Sequence, residues 1–133
     1  MKAADLRGTG YPDLFFANDY GVSEMFVNRG GTRFEDVAAE TGVGRAPKSG
    51  MNAAFGDIFN DGRLSIYKTN ISEPGVLVQA NDLWLPRRAA DGPRQFDDLA
   101  AALGVDLGKR IVGRMGDIFE NRITDVVIYE ARD

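Results

Sequence analysis

The sequence predicts an all-β fold in which a four-stranded antiparallel unit is repeated along the chain. Three observations lead to this prediction. An acidic turn recurs between apolar runs, at residues 5–13, 57–65 and 117–125. A second segment, which begins with Phe and two acidic residues, recurs at 34–43 and 96–105 and alternates with the turns. The repeat length of roughly 50–60 residues is the size of one β-propeller blade.

The order of the repeats predicts how much of a propeller the chain contains. Residues 5–18 align without a gap with residues 57–70, which places Asp5 on Asp57. The third turn, at Asp117, contains the same Gly-Asp-Ile-Phe step as the second. Ordered alternation of two motifs is hard to obtain by chance. The whole chain is therefore predicted to be one segment of about two to two and a half blades, a partial β-propeller.

The apolar runs around the turns predict the individual strands. Runs rich in aromatic and β-branched residues favour strands, and they follow the three turns at 14–16, 64–67 and 126–129. Further strands are predicted at 24–27 and 76–78, with a glycine hairpin turn at 28–32 and helical turns at 38–41 and 100–103. Residues 84–95 contain Pro86 and Pro93, which predicts a loop insertion. In that loop, Trp84 is either an exposed recognition residue or part of the core.

The acidic turns have the spacing of a calcium-binding loop. Calcium takes about six to eight oxygen ligands, and one loop supplies most of them when alternate residues point inward and a glycine lets the backbone turn. The seventh position contributes a backbone carbonyl, and the first, third, fifth and ninth contribute side chains. The candidate ligands in the three loops are Asp5, Thr9, Tyr11 and Asp13; Asp57, Asp61 and Arg63; and Asp117, Asn121 and Asp125.

The loops also depart from the calcium pattern. Arg7, Phe59 and Phe119 stand at the third position, where a ligand is required. Ser65 stands at the ninth position of the second loop in place of a carboxylate, and Arg122 replaces the glycine of the third loop. An Asp in a turn can hold the turn without metal by accepting backbone N–H groups. Arg7 could also take the place of a cation by pairing with a loop carboxylate. Weak calcium binding and a metal-free turn are therefore both open.

Composition narrows the classes of function. The net charge is −4 and the Lys and Arg residues form no cluster, which argues against nucleic-acid binding. The absence of Cys and His removes disulfides, thiolate metal sites and a Ser-His-Asp triad. No apolar run approaches the about 20 residues that span a bilayer, so no membrane insertion is predicted. No secretory signal opens the chain, and we expect a piece of a longer protein.

At these motifs the chain resembles the FG-GAP (also called VCBS) repeat family, whose members form integrin-α-like β-propellers. The resemblance rests on the Phe-Gly-Asp step at 55–57, on residues 11–19 and 66–72, and on the Thr-Gly-Val at 41–43. These segments are similar to those of the cartilage-acidic-protein branch. The resemblance implies a secreted, periplasmic or cell-surface protein, calcium in the blade loops, and a binding or scaffold role. It is specific for fold rather than activity, because one fold hosts many functions.

The expected function is a non-enzymatic module that binds a protein or glycan, or that assembles. Propellers have about four to eight blades, so the chain is expected to pack against copies of itself or the remainder of a longer propeller. No catalytic residue is assigned, because the acidic neighbours at 35–36 and 97–98 face opposite sides of a strand. Two alternatives stay open: an extracytoplasmic polysaccharide lyase or hydrolase, and a structural accessory subunit of a larger complex.

Overall fold

Two four-stranded antiparallel sheets make up most of the chain that the computed structural model describes, which is residues 1–73, 76–87 and 95–106. The first sheet contains, in spatial order, β1 (Lys2–Ala4), β2 (Asp13–Phe16), β3 (Glu24–Asn28) and β4 (Phe34–Asp36). The rest of the order is α1 (Ala38–Thr41), β5 (Gly50–Gly56), β6 (Ser65–Asn70), β7 (Ser72–Glu73), β8 (Leu77–Val78), β9 (Asp82–Pro86) and β10 (Phe96–Asp98). The second sheet has the order β10-β9-β6-β5, and β7 and β8 pair as a small separate hairpin.

The internal repeat is visible in the position of each motif. The acidic loops at 5–13 and 57–65 join the first and second strands of their sheets, β1 to β2 and β5 to β6. The Phe-acidic segments form the fourth strands, β4 and β10. The predicted all-β fold with four-stranded antiparallel units is therefore confirmed for two units. The third predicted loop, at 117–125, lies outside the described residues.

The core lies between one face of each sheet. Successive residues of a strand point to opposite faces, and in β2 this places Phe15, which is fully buried, towards the second sheet. The Phe15 ring meets Phe55 edge-on at 6.4 Å and Trp84 at 5.7 Å between ring centroids. Met25 and Ile66 belong to the same buried cluster. These contacts join the two sheets, because the cluster draws side chains from both.

The predicted loop insertion at 84–95 begins too early. Strand β9 runs through Pro86, and Trp84 is a core residue with 5% of its surface exposed. Leu83, Trp84 and Leu85 are all buried because this strand is covered on both faces. Pro86 suits the last position of the strand, where the ladder ends. The connection between β9 and β10 is thus shorter than predicted, and its residues 88–94 lie outside the described part of the chain.

Two further local predictions are revised. The strand predicted at 76–78 is present as the shorter β8, which pairs with β7 in the small hairpin, whereas β9 lies beside β6 in the second sheet. Val76 and Val78 are exposed, whereas the larger apolar residues Leu83, Trp84 and Leu85 of β9 are buried in the second sheet. The helical turn at 38–41 is confirmed as α1, which ends at Gly42. Residues 100–104 form hydrogen-bonded turns without a helix.

Truncation of Phe15 is expected to show how far the core depends on the contact between the sheets. Phe15→Ala should lower the free energy of unfolding by about 3–5 kcal/mol, since it leaves a cavity against Phe55 and Trp84. Urea unfolding followed by the fluorescence of Trp84, the single tryptophan, measures this directly. Phe59→Ala is the control, because Phe59 is 62% exposed, and it should change stability by no more than about 0.5 kcal/mol. Equal losses in the two variants would contradict the assignment.

Candidate functional site

In the first acidic loop, Asp5 holds the backbone of the turn. Its Oδ1 accepts the N–H of Thr9 at 2.9 Å, and its Oδ2 accepts the N–H of Gly10 at 2.6 Å. The hydrogen bond from the Thr9 backbone lowers the pKa of Asp5 below its ordinary value. Gly10 has φ +83°, a conformation that L side chains rarely adopt. Asp5 and Thr9 therefore lie together, as predicted, and their contacts are those of a capped turn.

The ninth position of the first loop, Asp13, is occupied by a guanidinium. Asp13 is fully buried and accepts hydrogen bonds from Arg7 Nε at 3.1 and 3.2 Å and from Arg7 Nη2 at 3.0 Å. The backbone N–H of Asn28 donates to the same carboxylate at 2.8 Å. Arg7 Nη2 also donates to the carbonyl oxygen of Asn28 at 2.7 Å. The pairing of Arg7 with a loop carboxylate is thus present in the structure.

The second acidic loop repeats the turn with different side chains. Asp57 accepts the N–H groups of Asp61 at 3.0 Å and Gly62 at 2.7 Å, as Asp5 does in the first loop. Gly62 has φ +81°, almost the value of its counterpart. Arg63 donates through Nε to Asp61 Oδ2 at 2.9 Å and also binds that oxygen through Nη2. Its Nη1 reaches the carbonyl oxygen of Pro86 at 3.1 Å.

The oxygen atoms of the two described loops are poorly arranged to bind calcium. In the first loop Asp13 is taken up by Arg7 and a backbone N–H, and Asp5 caps the turn. In the second loop Asp57 caps the turn and Asp61 is paired with Arg63, and the ninth position supplies only the neutral hydroxyl of Ser65, which is buried without a hydrogen-bond partner. Among residues 1–73, 76–87 and 95–106, no three acidic side chains are grouped to hold a metal. The candidate ligands Asp117, Asn121 and Asp125 lie outside the described residues.

Tyr11, predicted to offer its backbone carbonyl, lies at the exposed rim of the first loop. Its side chain is 44% exposed. Its ring approaches the hairpin turn, since a Cβ placed on Gly31 would lie 3.2 Å from the ring. The loop and the β3–β4 turn are therefore neighbours on the same end of the first sheet.

A buried charged cluster between the sheets was missed by sequence reasoning. We call it the inter-sheet cluster, and it consists of Ser23, Lys48, Lys68, Asn70 and Asp82. Lys68 is 1% exposed, and its Nζ donates to Ser23 Oγ at 3.0 Å and pairs with Asp82 Oδ2 at 3.0 Å. Lys48 pairs with the other oxygen of Asp82, and Asn70 Nδ2 donates to Oδ2 at 3.0 Å. One carboxylate thus serves two ammonium groups.

The electrostatics of the inter-sheet cluster follow from its burial. Burial lowers the pKa of Lys68 below its ordinary value, although the charge of Asp82 opposes this. Burial acts to raise the pKa of Asp82, but hydrogen bonds from Lys48 and Asn70, with the charge of Lys68, outweigh it and hold this pKa below 3.8. The Lys68 ammonium lies 5.3 Å from the centroid of the Trp84 ring, within cation–π range.

The inter-sheet cluster fastens the structure and is not suited to act on a substrate. Ser23 precedes β3 of the first sheet, while Lys68, Asn70 and Asp82 belong to the second. Lys68 is closed to solvent, so its amine has no path to a reacting molecule. The signal that could have revealed the cluster is strand parity. Lys68 lies two residues after Ile66, on the same core-facing side of β6.

The described geometry defines the class of protein as a β-propeller-type repeat protein. Two similar four-stranded antiparallel sheets pack face to face, and each has an acidic loop between its first and second strands. Residues 5–67 match the family described as FG-GAP-like repeat. The match covers β2 to β4 of the first sheet, both described acidic loops, β5 and the start of β6, and it supports the family indicated by the sequence motifs.

Curated relatives carry the name cartilage acidic protein 1. The chain is 34% identical to the protein of Xenopus tropicalis over 89 residues, which are 66% of this chain and 12% of the relative. It is 28% identical over 101 residues, 76% of this chain, to the proteins of Mus musculus and Homo sapiens, of which it covers 15% and 14%. The chain therefore spans well under a quarter of the length of these relatives.

Within the described residues, no helix is long and apolar enough to cross a membrane.

Removal of the Asp82 charge tests the inter-sheet cluster. Asp82→Asn should lower the free energy of unfolding at neutral pH by about 3–5 kcal/mol, because two ammonium groups lose their shared partner. The folded pKa of Asp82 lies below 3.8, so its stabilisation is present above that value and is lost as the pH falls through the lower folded pKa. The difference between wild type and variant should therefore shrink in strong acid. Urea unfolding across this pH range measures it.

Asp97→Asn provides the matched control for Asp82. Asp97 pairs with Arg87 at the surface, where both side chains are more than a third exposed, and exposed pairs contribute little. Its removal should leave stability nearly unchanged at every pH. A wild-type and Asp82→Asn difference that stays constant into strong acid would contradict the role given to Asp82.

Proposed function

We propose that the chain is a non-enzymatic pair of propeller blades that functions as a protein-binding and assembly module. The observation that carries the proposal is an apolar face of the first sheet, formed by Leu14, Phe16 and Phe26, which we call the open face. These residues alternate with the core residues of β2 and β3, so they lie on the side away from the core. Phe16 and Phe26 stack edge-on, 5.7 Å apart, and all three are only half-buried.

The second sheet differs from the first in how its outer face is covered. Leu83, Leu85 and Ala100 form a buried cluster there, with Tyr67 and Val105 packed against it. Tyr67 donates its hydroxyl to the carbonyl oxygen of Val105 at 3.1 Å, and burial raises the pKa of Tyr67 to about 12. By contrast, the residues of the open face belong to neither buried cluster of the described chain. The asymmetry supports the open face as the binding surface.

The length of the relatives supports a further blade as the natural occupant. The chain covers 12–15% of the curated relatives, and propeller blades bury their apolar faces against their neighbours. We infer that the open face packs on another blade of this type, supplied by a longer form of the same protein or by a second copy. The FG-GAP resemblance supports a location outside the cytoplasm and a role in binding a protein or glycan.

The alternative as a polysaccharide lyase or hydrolase draws no support from the described residues. The adjacent acidic residues at 35–36 and 97–98 include carboxylates that pair with arginines on the surface, Glu35 with Arg29 and Asp97 with Arg87. The buried Lys68 is closed to solvent. The role of an accessory subunit uses the same open face, so identification of the occupant distinguishes it from a self-assembling module.

Self-association of the isolated chain is expected from the open face. In a purified sample the only protein available to cover this face is a second copy. Full burial of an exposed Phe contributes about 1.5–3 kcal/mol, and Phe16 and Phe26 gain the part of this that their remaining exposed surface allows. Sedimentation velocity over a wide range of concentrations should therefore show oligomers. Phe26→Lys should shift the chain to monomer while its circular dichroism spectrum is unchanged.

Tyr20→Lys is the control for the change of charge, since Tyr20 is 86% exposed and outside the open face, and it should associate as the wild type does. A wild-type chain that stays a folded monomer at all concentrations would contradict the proposal.

A further inference from the structure

Both described acidic loops are tied to the same point of their sheets. Asn28 is the last residue of β3 and Pro86 is the last residue of β9, and these are the third strands of the two sheets. Arg7 donates to the carbonyl oxygen of Asn28 at 2.7 Å, and Arg63 donates to that of Pro86 at 3.1 Å. Each loop therefore places a guanidinium against the terminal carbonyl of a third strand.

The same two arginines also neutralise a carboxylate of their own loop. Arg7, at the third loop position, binds Asp13 at the ninth. Arg63, at the seventh position, binds Asp61 at the fifth. The two bridges have the same ends, a loop carboxylate and a strand-end carbonyl, although they are built from different loop positions. Both loops thus place a positive charge at the same point of their sheets.

We propose that Arg7 and Arg63 perform in these two loops the bridging role of a bound cation, so that the fold of this segment is independent of calcium. A guanidinium keeps its charge at all relevant pH values and offers up to five donors in a rigid planar fork. It can therefore bind a carboxylate and a carbonyl together, which is the structural task of a loop cation. The inference concerns how the loops are held and does not depend on what the open face binds.

A calcium ion in the same loops would meet two physical obstacles. The oxygens of Asp13 already accept four hydrogen bonds, three from Arg7 and one from Asn28. A second cation placed beside the Arg7 guanidinium would also be repelled at close range. In the second loop, Asp57 caps the turn and Asp61 is paired with Arg63. The ninth position adds only the neutral hydroxyl of Ser65, whereas calcium takes about six to eight oxygen ligands.

The two bridges differ in burial, which ranks their contributions. The side chains of Arg7 and Asp13 are 16% and 0% exposed, whereas those of Arg63 and Asp61 are 23% and 26% exposed. Hydrogen bonds to a buried charge cannot be replaced by water when one partner is removed. Loss of Arg7 should therefore destabilise the chain more than loss of Arg63.

Thermal unfolding of the 133-residue chain in millimolar calcium and in excess chelator tests the proposal. The wild type should give the same Tm in both. Arg7→Gln should lower the Tm by about 5–10 °C, and Arg63→Gln should lower it by a smaller amount. Arg29→Gln is the matched control, because it removes an exposed pair with Glu35 on the same sheet, and its Tm should stay near that of the wild type. A calcium-induced rise in the wild-type Tm, or glutamine variants no worse than the control, would overturn the proposal.

Arg7→Asp asks whether the guanidinium stands where a cation would. This variant gives the first loop carboxylates at positions one, three and nine, with the Thr9 hydroxyl at position five. We expect it to be less stable than the wild type in chelator, and to regain stability, or folding, when calcium is added. A variant that is equally destabilised with and without calcium would show that Arg7 does not occupy the place of a cation.

Discussion

A sheet with apolar side chains on both faces needs a covering layer on each face, and this constraint organises the part of the chain that the structure describes. The inner faces of the two sheets cover each other through Phe15 and Trp84. The outer face of the second sheet is covered by its own downstream segment, with Ala100 and Val105. The outer face of the first sheet has no equivalent in the described chain. A single unit of this kind could not bury its apolar area alone, so the fold extends by adding units.

Charged groups make specific contacts at two places, inside the contact between the two sheets and at the ends of the third strands. The inter-sheet cluster sets Asp82 between Lys48 and Lys68 inside the contact of the two sheets. Burying these charges costs free energy, and the cost is offset only when the sheets are packed so that every charged group has its partner. We infer that it specifies how the sheets are placed as much as it stabilises them. The arginine bridges act in the same way at the sheet ends, where each fixes a loop against a third strand.

The repeat motifs predicted the architecture because they report backbone geometry. The acidic turn requires a capping Asp and a glycine with positive φ, and both described loops have them at equivalent positions. The strand around Trp84 could not be predicted in the same way. Pro86 and the arginines that follow it are typical of a loop, and only the sheet beside β9 outweighs that local preference. Tertiary burial overrode local composition there.

The candidate site divided along the same line. Each capping contact joins an Asp to backbone N–H groups four or five residues later in the same turn. The short acidic motif around Asp5, and that around Asp57, was therefore enough to predict a capped turn. The bridge of Arg7 ends on Asn28, and that of Arg63 ends on Pro86, which are distant in sequence. The partners of Lys68 lie in another sheet and another strand. The alternation of residues along a strand predicts which side chains face the core. It does not predict which residue of another strand or sheet each side chain contacts.

The comparison of the two loops leads to a more general point about repeats. Within one chain, the turn is kept while the residue that supplies positive charge moves from the third loop position to the seventh. The backbone path of the loop tolerates this because a guanidinium on a long, flexible side chain can reach the terminal carbonyl of the third strand from either loop position. A metal ion would impose a stricter pattern, since its ligands must converge at short distances. A loop that is held by its own side chains, and not by a metal ion, is therefore expected to keep the turn residues while the residues at the ligand positions vary.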